Sequence, residues 1–196
     1  MAGRKSKGLS LERGDWVRAG LELLGARGHD SVRVEMLAKR LRISKGSFYW
    51  HFKDREDLLD AMLGSWEERQ SDWETEEGGL AQNAAEKWAR LLEVVSRPDY
   101  GRLDLAIFSW AREDEKVRQR VSEVEKRRVS YLTRIFREVG FNSHQAEEWA
   151  GAVMLAYSGW VDRATRDPAF YNSGPDLATV LSRIILAASA LASQEA

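Results

Sequence analysis

The sequence predicts an all-α fold, a three-helix head followed by a larger helical domain. Apolar residues recur at three- and four-residue spacing along most of the chain, which is the helical period. No stretch of useful length alternates at period two, and all three prolines fall at breaks between the periodic runs.

Met1 to Ser10 is small and polar, carries Arg4, Lys5 and Lys7, and reads as a flexible basic arm over residues 1–9. Ser10 suits the cap of a first helix, which carries Trp16, Val17, Ala19, Gly20, Leu23 and Leu24 to about Ala26 and stops at Gly28. A second, short helix runs from about Arg33 to Leu41, with Val34, Leu37, Ala38 and Leu41 inward. After a tight turn, Ser44 caps a third helix bearing Phe48 and Tyr49. Lys53-Asp54 leads into a fourth, with the stripe Leu58, Leu59, Met62, Leu63 and Trp66, reaching toward Glu77. Gly78-Gly79 is the clearest linker signal. Further helices are predicted at roughly 80–96, 101–111, 113–139, 143–167 and 175–193, separated by Arg97-Pro98-Asp99, Gly140 to Ser143 and Asp167 to Pro175. The expected domains are 10–56 for the head and 57–196 for the remainder.

Composition narrows the function. Of 196 residues, 43% are hydrophobic and 31% charged, a globular balance. No apolar run approaches the roughly 18 residues a membrane helix needs; the longest, Ile184 to Ala192, reads as helix core. The basic N-terminus has no apolar stretch behind it, so it does not read as a secretory signal. The absence of cysteine removes disulfide scaffolds, thiol catalysis and cysteine zinc sites, and agrees with an expected cytoplasmic location. Residues 1–53 hold 12 Lys/Arg against 5 Asp/Glu, net +7, and residues 54–196 hold 18 against 26, net −8. A basic quarter on an acidic remainder suggests a nucleic-acid reader joined to something else. The charged stretch from Arg112 to Arg128 reads as a solvated helix face.

An enzyme is disfavoured. There is no H-E-x-x-H, Walker loop, G-x-S-x-G or dinucleotide fingerprint. His144 with Glu147 and Glu148 puts an imidazole and carboxylates on one face, but further ligands are missing and the segment reads better as a polar helix start. No cofactor or metal is expected.

Three short helices in 45 residues, two of them joined by a turn of about four, form a helix-turn-helix pattern. Ala38 sits where the second and third helices cross, and Leu37, Leu41, Ile43 and Phe48 are spaced to fill the core beneath. The other face of the third helix, with Lys45, Gly46, Ser47, Tyr49 and Trp50, is then free for a major groove, with His51, Lys53 and Arg55 following.

The run Leu37-Ala38-Lys39-Arg40-Leu41-Arg42-Ile43-Ser44-Lys45-Gly46-Ser47-Phe48-Tyr49-Trp50-His51-Phe52-Lys53-Asp54-Arg55-Glu56-Asp57-Leu58-Leu59 resembles the TetR family of bacterial transcription regulators, and the likeness covers about residues 10–66. It implies base contacts from Lys45, Gly46 and Tyr49, and phosphate contacts from Ser47, Trp50, His51 and Arg55, with Ser44 and Lys53 in the same interface. Trp50 could instead brace the third helix against the fourth, and His51 could make a structural hydrogen bond. Two positions depart from the family: Arg42 stands where glycine is usual in the turn, and Arg33 replaces the usual Ser/Thr cap of the second helix. Ser31 or Asp30 is then a candidate cap, and Arg33 a candidate phosphate ligand.

Beyond residue 80 the chain is rich in large rings. The resemblance implies a pocket for a small apolar or aromatic effector, for which the candidates are Trp66, Trp88, Phe108, Tyr131, Tyr157 and Trp160, each also a candidate for core. Gly151, Ala152, Ala156 and Gly159 make a small-residue stripe, and Ala187, Ala188, Ala190 and Ala192 another. These suit a homodimeric four-helix interface or close packing within one subunit. The expected function is a homodimeric, ligand-responsive repressor on a pseudo-palindromic operator. The alternative is a helix-turn-helix protein with no small-molecule ligand.

Overall fold

The computed structural model describes residues 11–72, 83–167, 169–170 and 176–195. The basic arm, the stretch toward Glu77, the Gly78-Gly79 linker and Tyr171 lie outside the described residues. Among the described residues there are nine α-helices and no strand: α1 (Arg13–Arg27), α2 (Val34–Leu41), α3 (Lys45–Phe48), α4 (Arg55–Asp72), α5 (Ala84–Val95), α6 (Pro98–Ala111), α7 (Glu115–Val139), α8 (Ser143–Arg166) and α9 (Leu177–Glu195).

The breaks act through identifiable caps. Glu12, not Ser10, is the N-cap of α1, and the Asp15 carboxylate accepts from the Glu12 N–H at 2.8 Å. Gly28, at φ 76°, ends α1 with its N–H on the Leu24 carbonyl. A 3-10 turn, His29–Ser31, follows. Ser31 does not cap α2; its hydroxyl donates back to the Gly28 carbonyl at 2.7 Å, and α2 starts after Arg33. Proline at the first position of α6 lacks only an N–H that would have no helical partner, so α6 begins at 98 rather than 101. Asp114 caps α7 by accepting from the Lys116 and Val117 N–H groups, and Asn142 caps α8 by accepting from the Gln145 N–H.

Two apolar clusters organise the chain. The first joins Trp16 and Leu24 of α1, Leu37 and Phe48 of the short helices, Leu58, Met62 and Trp66 of α4, Ile107 and Trp110 of α6, and Val117 and Val124 of α7. Fully burying side chains of this kind is worth about 1.5–3 kcal/mol each. A Cβ on Gly20 would lie 2.5 Å from Met62 Sδ, so glycine permits the close approach of α1 and α4. The second cluster joins α5, the later half of α7, α8 and α9. The 25 residues of α7 run through both, and α6 supplies Tyr100 and Leu105 to the second cluster and Leu103, Ile107, Trp110 and Ala111 to the first. The head is therefore seated on α6 and α7 as well as on α4.

Candidate nucleic-acid interface and ligand cavity

Phe48 fixes the short helix α3. It is fully buried, edge-on to Trp16 at 5.3 Å and stacked on Phe52 at 5.3 Å. The next two rings have no such seat: Tyr49 is 64% and Trp50 88% exposed. Trp50 is thus outward and does not brace α3 against α4. Ser44, Lys45 and Gly46 are exposed beside them, with Ser47 and His51 half-buried and Lys53 exposed. A Cβ on Gly46 would meet only Ser44 Oγ, at 3.7 Å, so packing within the chain does not demand glycine there. The missing side chain leaves backbone open to an outside surface.

The turn before α3 depends on Arg42, which takes the left-handed conformation at φ 57°, ψ 41°, the only non-glycine among the described residues with positive φ. That reversal returns Ile43 toward the core, with its N–H on the Ala38 carbonyl at 3.0 Å. Lys45 is ion-paired with Glu35 of α2 at 2.8 Å. Arg33 is exposed, and its Nε donates to the Asp30 carbonyl. Arg55 faces inward: Nε donates to the Val32 carbonyl at 2.7 Å, Nη2 to the His29 carbonyl at 2.9 Å, and Nη1 to Glu56. Its donors fasten the 3-10 turn to α4; the His29 carbonyl also accepts the Val32 N–H at 3.1 Å and uses its second lone pair for Arg55.

In the second cluster a cavity of about 30 Å³ lies between α5, α6, α7, α8 and α9. Leu91, Val95, Tyr100, Arg128, Leu132, Val153, Met154, Tyr157 and Leu181 line it, and its wall is apolar throughout. Of the six aromatic residues expected at a pocket, Tyr157 alone lines this cavity. Trp88 packs edge-on to Phe136, Phe108 packs on the first cluster, Tyr131 is buried, and Trp160 lies against Phe170. Trp66 stands one layer behind the wall, with its indole N–H on Asp104 Oδ1 at 2.8 Å.

That contact belongs to a buried polar cluster that the sequence does not announce. Asp104 and Arg128, with side chains 1% and 6% exposed, pair at 2.7 Å, and the Tyr157 hydroxyl donates to Asp104 Oδ2 at 2.9 Å. The Asp104 charge keeps the Arg128 guanidinium protonated against the cost of burial, above its ordinary range. Burial first, and then the Asp104 charge, push the Tyr157 hydroxyl well above the usual tyrosine range. The reading of Arg112 to Arg128 as a solvated face is corrected at two points. Arg128 is buried, and Arg120 forks onto both oxygens of Glu67 at 2.6 and 2.8 Å while also reaching Asp60 of α4. The helical period carried the signal, since Arg128 lies on the stripe of Val117, Val121, Val124, Leu132 and Ile135. Asp104 likewise lies on the inward face with Tyr100, Ile107 and Ala111.

Residues 17–62 match the family model described as bacterial regulatory proteins, tetR family. The head is the part of this chain that is similar to the tetR family. Over 52 residues the chain is 44% identical to the class G tetracycline repressor protein of Vibrio anguillarum, a match covering 26% of this chain and 25% of that protein. The tetR-family likeness in sequence thus spans about a quarter of that relative's length. The fold likeness runs further. A transcriptional regulator from Rhodococcus sp. Rha1 superposes with a TM-score of 0.72 at 17% identity, over 89% of this chain and 94% of that one. A Saccharomonospora viridis regulator solved in complex with choline superposes with a TM-score of 0.68 at 19% identity, over 88% and 92%. Among the described residues no group of three or more His, Asp or Glu gathers as a metal site, and no helix is long and apolar enough to cross a membrane.

Proposed function

We propose that this chain is a transcriptional repressor that binds a pseudo-palindromic DNA operator as a homodimer and is released when a small apolar molecule enters the α5–α9 cavity. The observation that carries the DNA half is the exposed face of Lys45, Gly46, Tyr49 and Trp50, mounted on a buried Phe48. Lysine donates to guanine O6 or N7, the tyrosine ring edge meets a thymine methyl, and Gly46 lets the backbone approach. Ser44, Ser47, His51, Lys53 and Arg33 lie around this face as phosphate contacts, whereas Arg55 serves by holding the turn in place.

The homodimer is supported by α8 and α9. A Cβ on Gly151 or Gly159 would meet nothing within 4 Å, so these two positions of the small-residue stripe are not packed within the subunit, whereas Ala156 packs partly on the second cluster. Leu155, on the same face of α8, is 76% exposed, and Leu186 of α9 is 67% exposed. Pairing with symmetry mates would bury all four and set two heads about one helical turn of DNA apart. Release follows if the ligand-filled state favours a different head spacing.

The experiment is selection of bound duplexes from a random library, then a salt titration on the selected sequence. A single pseudo-palindrome, with log K falling by about 0.9 per phosphate neutralised for each unit of log salt, is the expected result. No enrichment at low salt would overturn the DNA reading. A second reading, a DNA-binding protein without a small-molecule ligand, is favoured by the small size of the cavity. A flat tryptophan-fluorescence response to a broad panel of apolar and aromatic compounds would select it.

A further inference from the structure

The two buried charges beside the cavity are matched to each other. Asp104 accepts from Trp66 Nε1, the Tyr157 hydroxyl and the Arg128 guanidinium at once. The Arg128 guanidinium carbon lies 6.0 Å from the Trp66 ring centroid and 5.8 Å from those of Tyr100 and Tyr157. The chain's own cation therefore occupies the aromatic cage that a foreign cation would use. One buried positive charge and one buried negative charge sit in contact, behind a wall that offers the cavity only apolar surface.

We infer that the cavity selects uncharged molecules, with an apolar body and at most one hydroxyl, carbonyl or ester group, and rejects carboxylates and quaternary amines of the same shape. The inference rests on the ligand-responsive reading above and specifies its ligand. A carboxylate has two options in this site. It can enter an apolar wall as an unpaired charge, or it can draw Arg128 away and leave Asp104 buried without its cation. Either leaves one buried charge uncompensated, which is far costlier than burying a matched pair. A quaternary amine must displace Arg128 from its three rings or stand beside it as a like charge. An uncharged molecule meets neither obstacle. At about 30 Å³ the cavity has room for no more than a water-sized molecule or two, so entry requires side chains to shift; Met154 can do so at low cost because its unbranched thioether chain adapts.

Asp104 is thereby a specificity-determining residue that acts through Arg128. It touches no ligand, but it cancels the charge that would attract an anion.

The test uses the full chain and three probes of equal length: octan-1-ol, octanoate and octyltrimethylammonium. Binding is read by tryptophan fluorescence and by the shift in Tm. Octan-1-ol is expected to bind wild type about tenfold or more tightly than either charged probe. In Asp104→Asn, which keeps the side-chain volume and removes the anion, octanoate is expected to become the preferred probe. If octanoate or the amine binds wild type as well as octan-1-ol does, the inference fails while the ligand-responsive reading stands. If none of the three binds, the inference fails; a flat response to the broader panel then removes that reading as well. An unchanged order in folded Asp104→Asn overturns the role of Asp104. Should that variant not fold, the wild-type order decides the inference by itself.

Discussion

Glu35 of α2 holds the Lys45 ammonium at 2.8 Å on the exposed face of the head, with both side chains more than half exposed. The lysine lowers the Glu35 pKa, first through their hydrogen bond, so the carboxylate is charged throughout the neutral range. A carboxylate beside the principal cation of a DNA-reading face repels phosphate and restrains the lysine. Glu35→Gln is therefore expected to tighten binding to unselected DNA and to steepen the salt dependence by about one ion released, through the freed Lys45. Discrimination between the selected operator and random duplex should fall. Titrations at several salt concentrations check this, and an unchanged slope would show that Glu35 does not restrain Lys45 on DNA.

Arg42 is held in the left-handed region at φ 57°, where a Cβ meets the backbone unfavourably. Glycine removes that strain but adds freedom to the unfolded chain. Relief of the strain outweighs the added freedom, so Arg42→Gly is expected to stabilise the fold by about 0.5–1 kcal/mol. The check is a urea melt of the two proteins side by side. A loss of stability would mean that the arginine side chain contributes something its exposed position does not reveal.

The head was readable because its determinants are local. Leu37, Ala38 and Phe48 lie within a dozen residues of one another, and the spacing that makes the turn is the spacing that buries them. The cap Asn142 was readable within a break for the same reason, whereas the cap Asp114 fell inside the helix expected from residue 113. The cavity was not, because its wall draws on five helices whose separation in sequence carries no local sign. Aromatic size directed attention to Trp66 and Trp88, whereas the wall is mostly aliphatic. Arg128 reads as surface until its place on the apolar stripe of α7 is counted, and its counter-ion lies 24 residues earlier on another helix.

Tyr157 gives a pH signature. Burial and the neighbouring Asp104 charge hold its hydroxyl protonated well above the ordinary value of 10.0. In the unfolded chain it ionises near that value, so above it the unfolded state binds fewer protons than the native one. The stabilisation is fully present below pH 10 and is lost as pH rises from there toward the folded pKa. The loss from this one group is at most about 1.4 kcal/mol per pH unit. Between pH 10 and 11, wild type is expected to lose up to about that much more stability than Tyr157→Phe, whatever the offset between them at pH 8. Denaturant melts at pH 8, 10 and 11 provide the comparison, and parallel losses would place the Tyr157 hydroxyl in contact with water.

Leu155 separates assembly from folding. It is 76% exposed on α8, between Gly151 and Gly159, each of which has open space where a Cβ would stand. An exposed leucine contributes little to the fold of one subunit, so Leu155→Glu should change the stability of the isolated chain by no more than about 0.5 kcal/mol. At a two-fold interface the same change acts twice, because the two copies meet near the axis, and two carboxylates would be buried against each other. Analytical ultracentrifugation is expected to give twice 22.3 kDa for wild type and 22.3 kDa for the variant. The circular dichroism should remain fully helical. Operator affinity should fall with the loss of the second head, most steeply on duplexes carrying both half-sites. A variant that remains dimeric would move the interface off this face of α8 and leave the open glycine stripe without a role in assembly.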